Sequence, residues 1–168
     1  MDLRKTRKER RKPCCKSSSR KHRYFLLTKF DRHPKNIECK ETWRSLIHQS
    51  RDLESLNQAK FLFDNIRIDG QWEITTVTRI YTASQDCWNG WDFHTHSDGK
   101  GPTLCLIRSS EGYLAAGLTF KSWKSHLPRV NVEDSSAIIF VLTDEPQVFR
   151  TGNPKQAVYH NEDYGPCF

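Results

Sequence analysis

Three short, unbroken apolar runs constrain this chain more than any other feature. They are TLCLI at 103–107, GYLAAGL at 112–118 and AIIFVL at 137–142. Each is too brief for a core helix and is bounded by turn-forming residues, which makes it a strand covered on both faces. The first two are separated by Ser109-Ser110-Glu111-Gly112. This is a short hairpin loop in which Gly112 is free to take a positive φ, so the two runs are expected to be antiparallel neighbours. After the third run, Asp144-Glu145-Pro146 supplies a turn and QVFR a further short strand. Upstream, WEITTVTRIY at 72–81 follows the turn signal Asp69-Gly70 and is rich in the β-branched and aromatic residues that suit a pleated surface. Many strands with little helix between them predict an α+β chain, with an antiparallel β sandwich and helices at its margin.

One helix is expected before the strands. Trp43, Leu46, Ile47, Leu53 and Leu56 recur at spacings of three, four and seven within residues 36–65, with Asn36 as N-cap. Such a stripe is read as a core-facing surface. The resulting division is a basic arm at 1–23, a helical lead-in at 24–70 and the β domain at 71–168.

Charge separates the arm from the rest. The chain carries a net +7, yet residues 1–23 alone hold 11 Lys and Arg against Asp2 and Glu9. With almost no apolar residue to offset the entropy of ordering, this arm is expected to be disordered. Arg4, Lys5, Arg7, Lys8, Arg10, Arg11 and Lys12 form its electrostatic core. A solvated tail is one reading. The other is a patch for nucleic acid, nuclear import machinery or an acidic membrane surface. Cys14 and Cys15 beside these cations are potential palmitate acceptors, although two ordinary thiols are the favoured reading; Asp2 excludes N-myristoylation and Cys167 lies too near the end for prenylation. No run is long enough to span a bilayer and no secretory signal is present, which places the chain in the cytoplasm, with the nucleus as alternative, and its six cysteines in the reduced state without bridges.

Chemistry-bearing motifs are sparse. The chain has no Walker A, no G-x-S-x-G and no H-E-x-x-H. Gly99-Lys100-Gly101-Pro102 superficially suggests a phosphate cradle, but Pro102 lacks an N–H and no helix follows, so a rigid turn is the better reading. On a strand, His94 and His96 would face one way, as metal ligands beside Cys87 or Asp98 would, but no second ligand pair accompanies them. Asp86, Asp92 and Asp98 miss the spacing of an EF-hand loop. Cys105, inside an apolar run, should be buried and inert, whereas Cys87 and Cys167 lie in loops open to oxidation. No cofactor and no metal are expected.

From Arg79 onward the residues resemble the TLDc family, eukaryotic proteins linked to oxidation resistance. The blocks that carry the resemblance are IYTASQD at 80–86, with Ser84 and Asp86 in its S-x-D turn; Phe93-His94; and DGKGPTL at 98–104, comprising Asp98, Gly99, Lys100, Gly101 and Pro102. They continue with Gly112-Tyr113, Trp123, the strand at 136–142, and Ala157-Val158-Tyr159-His160-Asn161 followed by Tyr164-Gly165-Pro166. Cys87, Ser97 and Ala115-Ala116 depart from the family pattern.

The resemblance implies a two-sheet sandwich with flanking helices, incomplete at its C-terminus, whose missing strands would leave an open edge. It further implies a non-enzymatic protein-interaction module in the response to oxidative stress, with the vacuolar proton-pumping ATPase as a partner. Trp88, Trp91 and Trp123 are then candidate binding anchors, although caps on the end of the sandwich are the preferred reading of these large aromatics.

Overall fold

A computed structural model describes residues 22–34, 56–66, 72–125 and 129–168. The chain runs β1 (His22–Pro34), α1 (Leu56–Ile66), β2 (Trp72–Thr82), the single-turn helix α2 (Ala83–Asp86), α3 (Gly90–Ser97), β3 (Thr103–Ser109), β4 (Leu114–Thr119), β5 (Val130–Val132), β6 (Ile138–Val141), β7 (Gln147–Arg150), a 3-10 turn (Pro154–Gln156) and β8 (Val158–His160). Six strands form one antiparallel sheet in the order β2-β1-β3-β4-β6-β7, and β5 pairs with β8 in a second, smaller sheet.

The hairpin between β3 and β4 forms as its loop chemistry requires. Ser109 N–H donates to Tyr113 O at 2.9 Å and Gly112 N–H to Ser109 O at 3.2 Å. Gly112 sits at φ 91°, where a Cβ would be strained. Leu104 then faces Leu118, and Leu106 faces Ala116. Because side chains alternate across a strand, these four share one face, while Cys105, Ile107, Ala115 and Gly117 share the other.

The first face has an apolar centre with polar side chains at its rim, where Gln58 donates to the Leu142 carbonyl at 3.0 Å and Arg150 to the Asn65 carbonyl at 3.3 Å. Leu104, Leu106, Ala116, Leu118, Ile138 and Phe140 pack against Ala59, Leu62 and Ile66 of α1, which recur at spacings of three and four on one helical stripe. Phe61 adds an edge-on ring contact to Phe140, with centroids 6.4 Å apart. The second face receives Cys105 together with Phe93 of α3, Trp123, Ala157 and Val158, with Val132 of β5 packed alongside. Two layers thus lie over the main sheet, one helical and one built from the small sheet and α3.

Three differences from the sequence reading have physical causes. Residues 22–34, assigned to the arm and the helical lead-in, form β1 between β2 and β3; pairing along both edges stabilises a strand whose local pattern is irregular. The expected helix at 36–65 is seen only from Leu56, and residues 36–55 lie outside the described part. The run at 137–142 is not covered throughout on both faces: Ala137 is buried in the second-face cluster, but Ile139 on the same face is 41 % exposed, next to the outer strand β7.

Candidate functional site

The late residues of the chain and the segment around α3 meet at one corner of the second face, and most of the singled-out residues assemble there. Asn89 caps α3 by accepting from Asp92 N–H at 2.9 Å. The helix places Phe93 and His94 inward, both buried. His94 and His96 therefore do not share a strand face. On a helix, side chains two apart diverge, and His96 instead approaches the Asp92 carbonyl through Nδ1 at 2.8 Å. Among the described residues no group of three or more His, Cys, Asp or Glu is arranged to hold a metal ion.

His94 is fixed at both ring nitrogens. Nδ1 lies 2.7 Å from Asp98 Oδ1 and Nε2 donates to the Asn161 carbonyl at 2.9 Å. The second Asp98 oxygen accepts both the N–H and the hydroxyl of Ser125, at 2.7 and 2.6 Å. Burial raises the Asp98 pKa, but the hydrogen bonds from Ser125 and His94 outweigh it and hold the carboxyl below its ordinary value. Asp98 thus ties three segments together: α3, the Trp123 loop and, through His94, the loop at Asn161.

Trp123 is the centre of this corner and is fully buried. Its indole N–H donates to the Thr103 hydroxyl at 2.9 Å. Its ring meets Phe93 at 5.4 Å, and His160 and Phe168 both at 5.7 Å. Trp123 is therefore a core residue rather than a surface anchor. Burial, together with the nearby His94 and Lys124, pushes His160 below its ordinary pKa against the opposing pull of Asp98. Among the described residues neither ring nitrogen of His160 has a hydrogen-bond partner.

The DGKGP turn runs beside Trp123. Gly99 N–H donates to the Trp123 carbonyl at 3.0 Å and Lys100 N–H to Ser97 O at 3.0 Å. A Cβ at Gly101 would come within 2.9 Å of the Lys121 carbonyl carbon and oxygen and of Ser122 N, so only glycine permits this approach. Pro102 is buried, whereas the Lys100 side chain points to solvent. Gly101 thus serves close backbone packing and Gly99, at φ 74°, turns the chain, in keeping with a turn rather than a phosphate cradle.

The remaining family residues are distributed around this corner. Asp86 Oδ2 accepts from Thr82 N–H at 2.8 Å where β2 passes into α2, while Ser84 is exposed. Tyr159 N–H donates to the Cys167 carbonyl at 3.0 Å, which folds the half-buried Gly165 and Pro166 back alongside β8. Tyr164 is 56 % exposed and Trp91 on α3 is 47 % exposed. The two lie at the same edge, because Gly90 abuts the backbone of Asp163 and Tyr164. Trp88 packs half-buried against the second-face cluster. Arg4, Lys5, Arg7, Lys8, Arg10, Arg11 and Lys12 lie outside the described residues.

Two residues that hold this face together escaped the sequence reading. Ser125 is the partner of Asp98, and Asp134 accepts from the Thr119 hydroxyl at 2.7 Å, from Phe120 N–H at 3.0 Å, and from Ser136 N–H and hydroxyl at 3.0 and 2.6 Å. Asp134-Ser135-Ser136 is the kind of sequence that makes such a side-chain turn. The cysteines also differ from expectation. Cys105 is buried with its thiol pKa pushed up by burial, as anticipated, but Cys87 is disulfide-bonded, its partner lying outside the described residues. The fully reduced set expected from the sequence therefore does not hold.

A family model for the TLDc domain matches residues 47–168, well over half of the chain. The chain belongs to the TLDc domain family. No curated protein and no solved structure matches it. The TLDc match runs through α1, every strand except β1, and the last residue, so it covers every element of the corner just described. Among the described residues no helix is long and apolar enough to cross a membrane.

Proposed function

We propose that this TLDc chain is a non-enzymatic intracellular interaction and regulatory module in the response to oxidative stress, with the cytosolic sector of the vacuolar proton-pumping ATPase as its partner. One observation carries the non-catalytic part of this reading. Two central polar residues of the TLDc signature direct their hydrogen bonds into the fold: both nitrogens of His94 and both oxygens of Asp98 are engaged. A general base needs a lone pair within reach of substrate, and His94 has none to offer. What remains for recognition is the surface, where exposed aromatics such as Trp91 and Tyr164 are the residue types that anchor interfaces.

A second reading rests on the net +9 of residues 1–23, obtained from 11 cations less Asp2 and Glu9. In that case the arm, not the TLDc domain, binds nucleic acid or an acidic membrane, and binding falls steeply with salt. Both readings are tested by affinity capture on the full chain and on a full-chain variant with Arg4, Lys5, Arg7, Lys8, Arg10, Arg11 and Lys12 replaced by Gln. Proton-pump subunits retained by both forms at high salt support the module. Nucleic acid or acidic vesicles retained only by the native arm at low salt overturn it.

A further inference from the structure

One of the two outer strands of the main sheet, β7, presents an edge that pairs with nothing among the described residues. β7 lies at the end of the strand order and is hydrogen-bonded to β6 alone. Thr151 N–H donates to Ala137 O at 3.4 Å, and Phe149 stands opposite Ile139. In an antiparallel ladder the backbone groups of alternate residues face the partner strand. Gln147, Phe149 and Thr151 therefore face β6, and the N–H and C=O of Val148 and Arg150 point away from the sheet. Among the described residues nothing pairs with them.

The side chains beside this edge are apolar and uncovered. Phe149 is 51 % exposed and Ile139 is 41 % exposed. They continue the row Cys105, Gly117, Ile139, Phe149 across the second face, buried at its β3 end and open at its β7 end. A chain that leaves two large apolar side chains and free backbone donors on one edge presents a template for another strand.

We propose that β7 pairs antiparallel with β7 of a second copy of this chain, about a two-fold axis through Phe149, to make a continuous sheet across a symmetric dimer. The register follows from the outward-facing groups. Val148 and Arg150 exchange both backbone hydrogen bonds with Arg150 and Val148 of the second copy, and the two Phe149 side chains meet as a non-hydrogen-bonded cross-strand pair. The edge is complementary to itself in this register, since the two-fold sets outward N–H groups against outward C=O groups and the exposed Phe149 against its own mate. No other register about a two-fold axis places Val148 and Arg150 opposite each other. The seam is four residues long, so it buries less than the roughly 1,600 Å² of a standard interface and association is concentration-dependent.

The test is sedimentation equilibrium of the full chain over a wide concentration range, together with cysteine crosslinking. The average mass should rise toward twice that of the single chain. Phe149→Lys sets like charges against each other at the axis and should raise the half-dimerisation concentration by about tenfold or more. Arg150→Pro, which removes an outward N–H without touching the β6 ladder, should weaken association similarly. In Phe149→Cys the two Cα atoms lie about 4.5 Å apart, inside the roughly 4.4–6.8 Å that a disulfide spans. This variant should give a covalent dimer well above the level of the native chain. Gln147→Cys, whose mates lie about 13 Å apart in this register, should not. A single-chain mass at every concentration, a dimer that persists in Phe149→Lys, or equal crosslinking at positions 147 and 149 overturns the proposal.

Discussion

The two faces of the main sheet are held by different means. The α1 face is centred on an apolar contact surface of Leu, Ile, Ala and Phe. The opposite face centres on Trp123 and is fastened at its borders by two carboxylates, Asp98 and Asp134, that each accept several hydrogen bonds. The α1 face tolerates exchange among apolar residues of similar volume. The second face depends on particular donors at particular positions, which is where the TLDc signature falls. The family signature thus coincides with the corner of the fold whose bonding needs are most particular.

The comparison breaks most sharply at Trp123. Trp123→Ala removes the ring shared by Phe93, His160 and Phe168 and leaves the buried Thr103 hydroxyl unpaired. Urea unfolding should show a loss of about 3–5 kcal/mol. On the other face, Leu62→Ala should cost about 2–4 kcal/mol, while Leu62→Met should cost under about 1.5 kcal/mol because volume alone matters there. Asp134→Ala, which strands donors from Thr119, Phe120 and Ser136, should cost about 1–3 kcal/mol despite removing little apolar area.

Acid should attack the second face alone. His160, Asp98 and Asp134 all have folded pKa values below their ordinary ones. Each therefore contributes stability above its unfolded value that is lost as pH falls through its folded value. Stability should decline first below about pH 6.5 through His160 and again below about pH 4 through the two carboxylates. His160→Gln should flatten only the upper part of a Tm-against-pH curve; an unchanged curve would sink the assignment. The smallest effect is expected at the exposed rim, where Trp91→Ala should change stability by no more than about 0.5 kcal/mol and lower partner retention in the capture experiment.

Legibility in the sequence followed the same division. The apolar runs located β3, β4 and β6, and Gly112 located the hairpin between the first two, because burial and turn geometry leave local marks. β1 was missed because its stability comes from pairing with β2 and β3, which are distant in sequence. The helical setting of His94 is not legible because a pair of histidines carries no periodicity of its own. Only the Asn89 cap marks the start of α3. Ser125 and Asp134 were invisible because their partners lie 27 and 15 residues away, and a lone Asp or Ser reads as surface until the turn that buries it is known. The family blocks compensated for this, since they kept Asp98, Trp123 and His160 together before any geometry placed them in one corner.

The claim that the signature holds the fold together is tested most directly by equilibrium urea unfolding of Asp98→Ala. Removing this carboxylate strips partners from His94 and from the Ser125 N–H and hydroxyl. The account predicts a cooperative transition at lower urea, with a loss of about 1–3 kcal/mol. A variant as stable as the native chain, or more stable, is the behaviour of a residue kept for function at the expense of the fold, and would contradict the account.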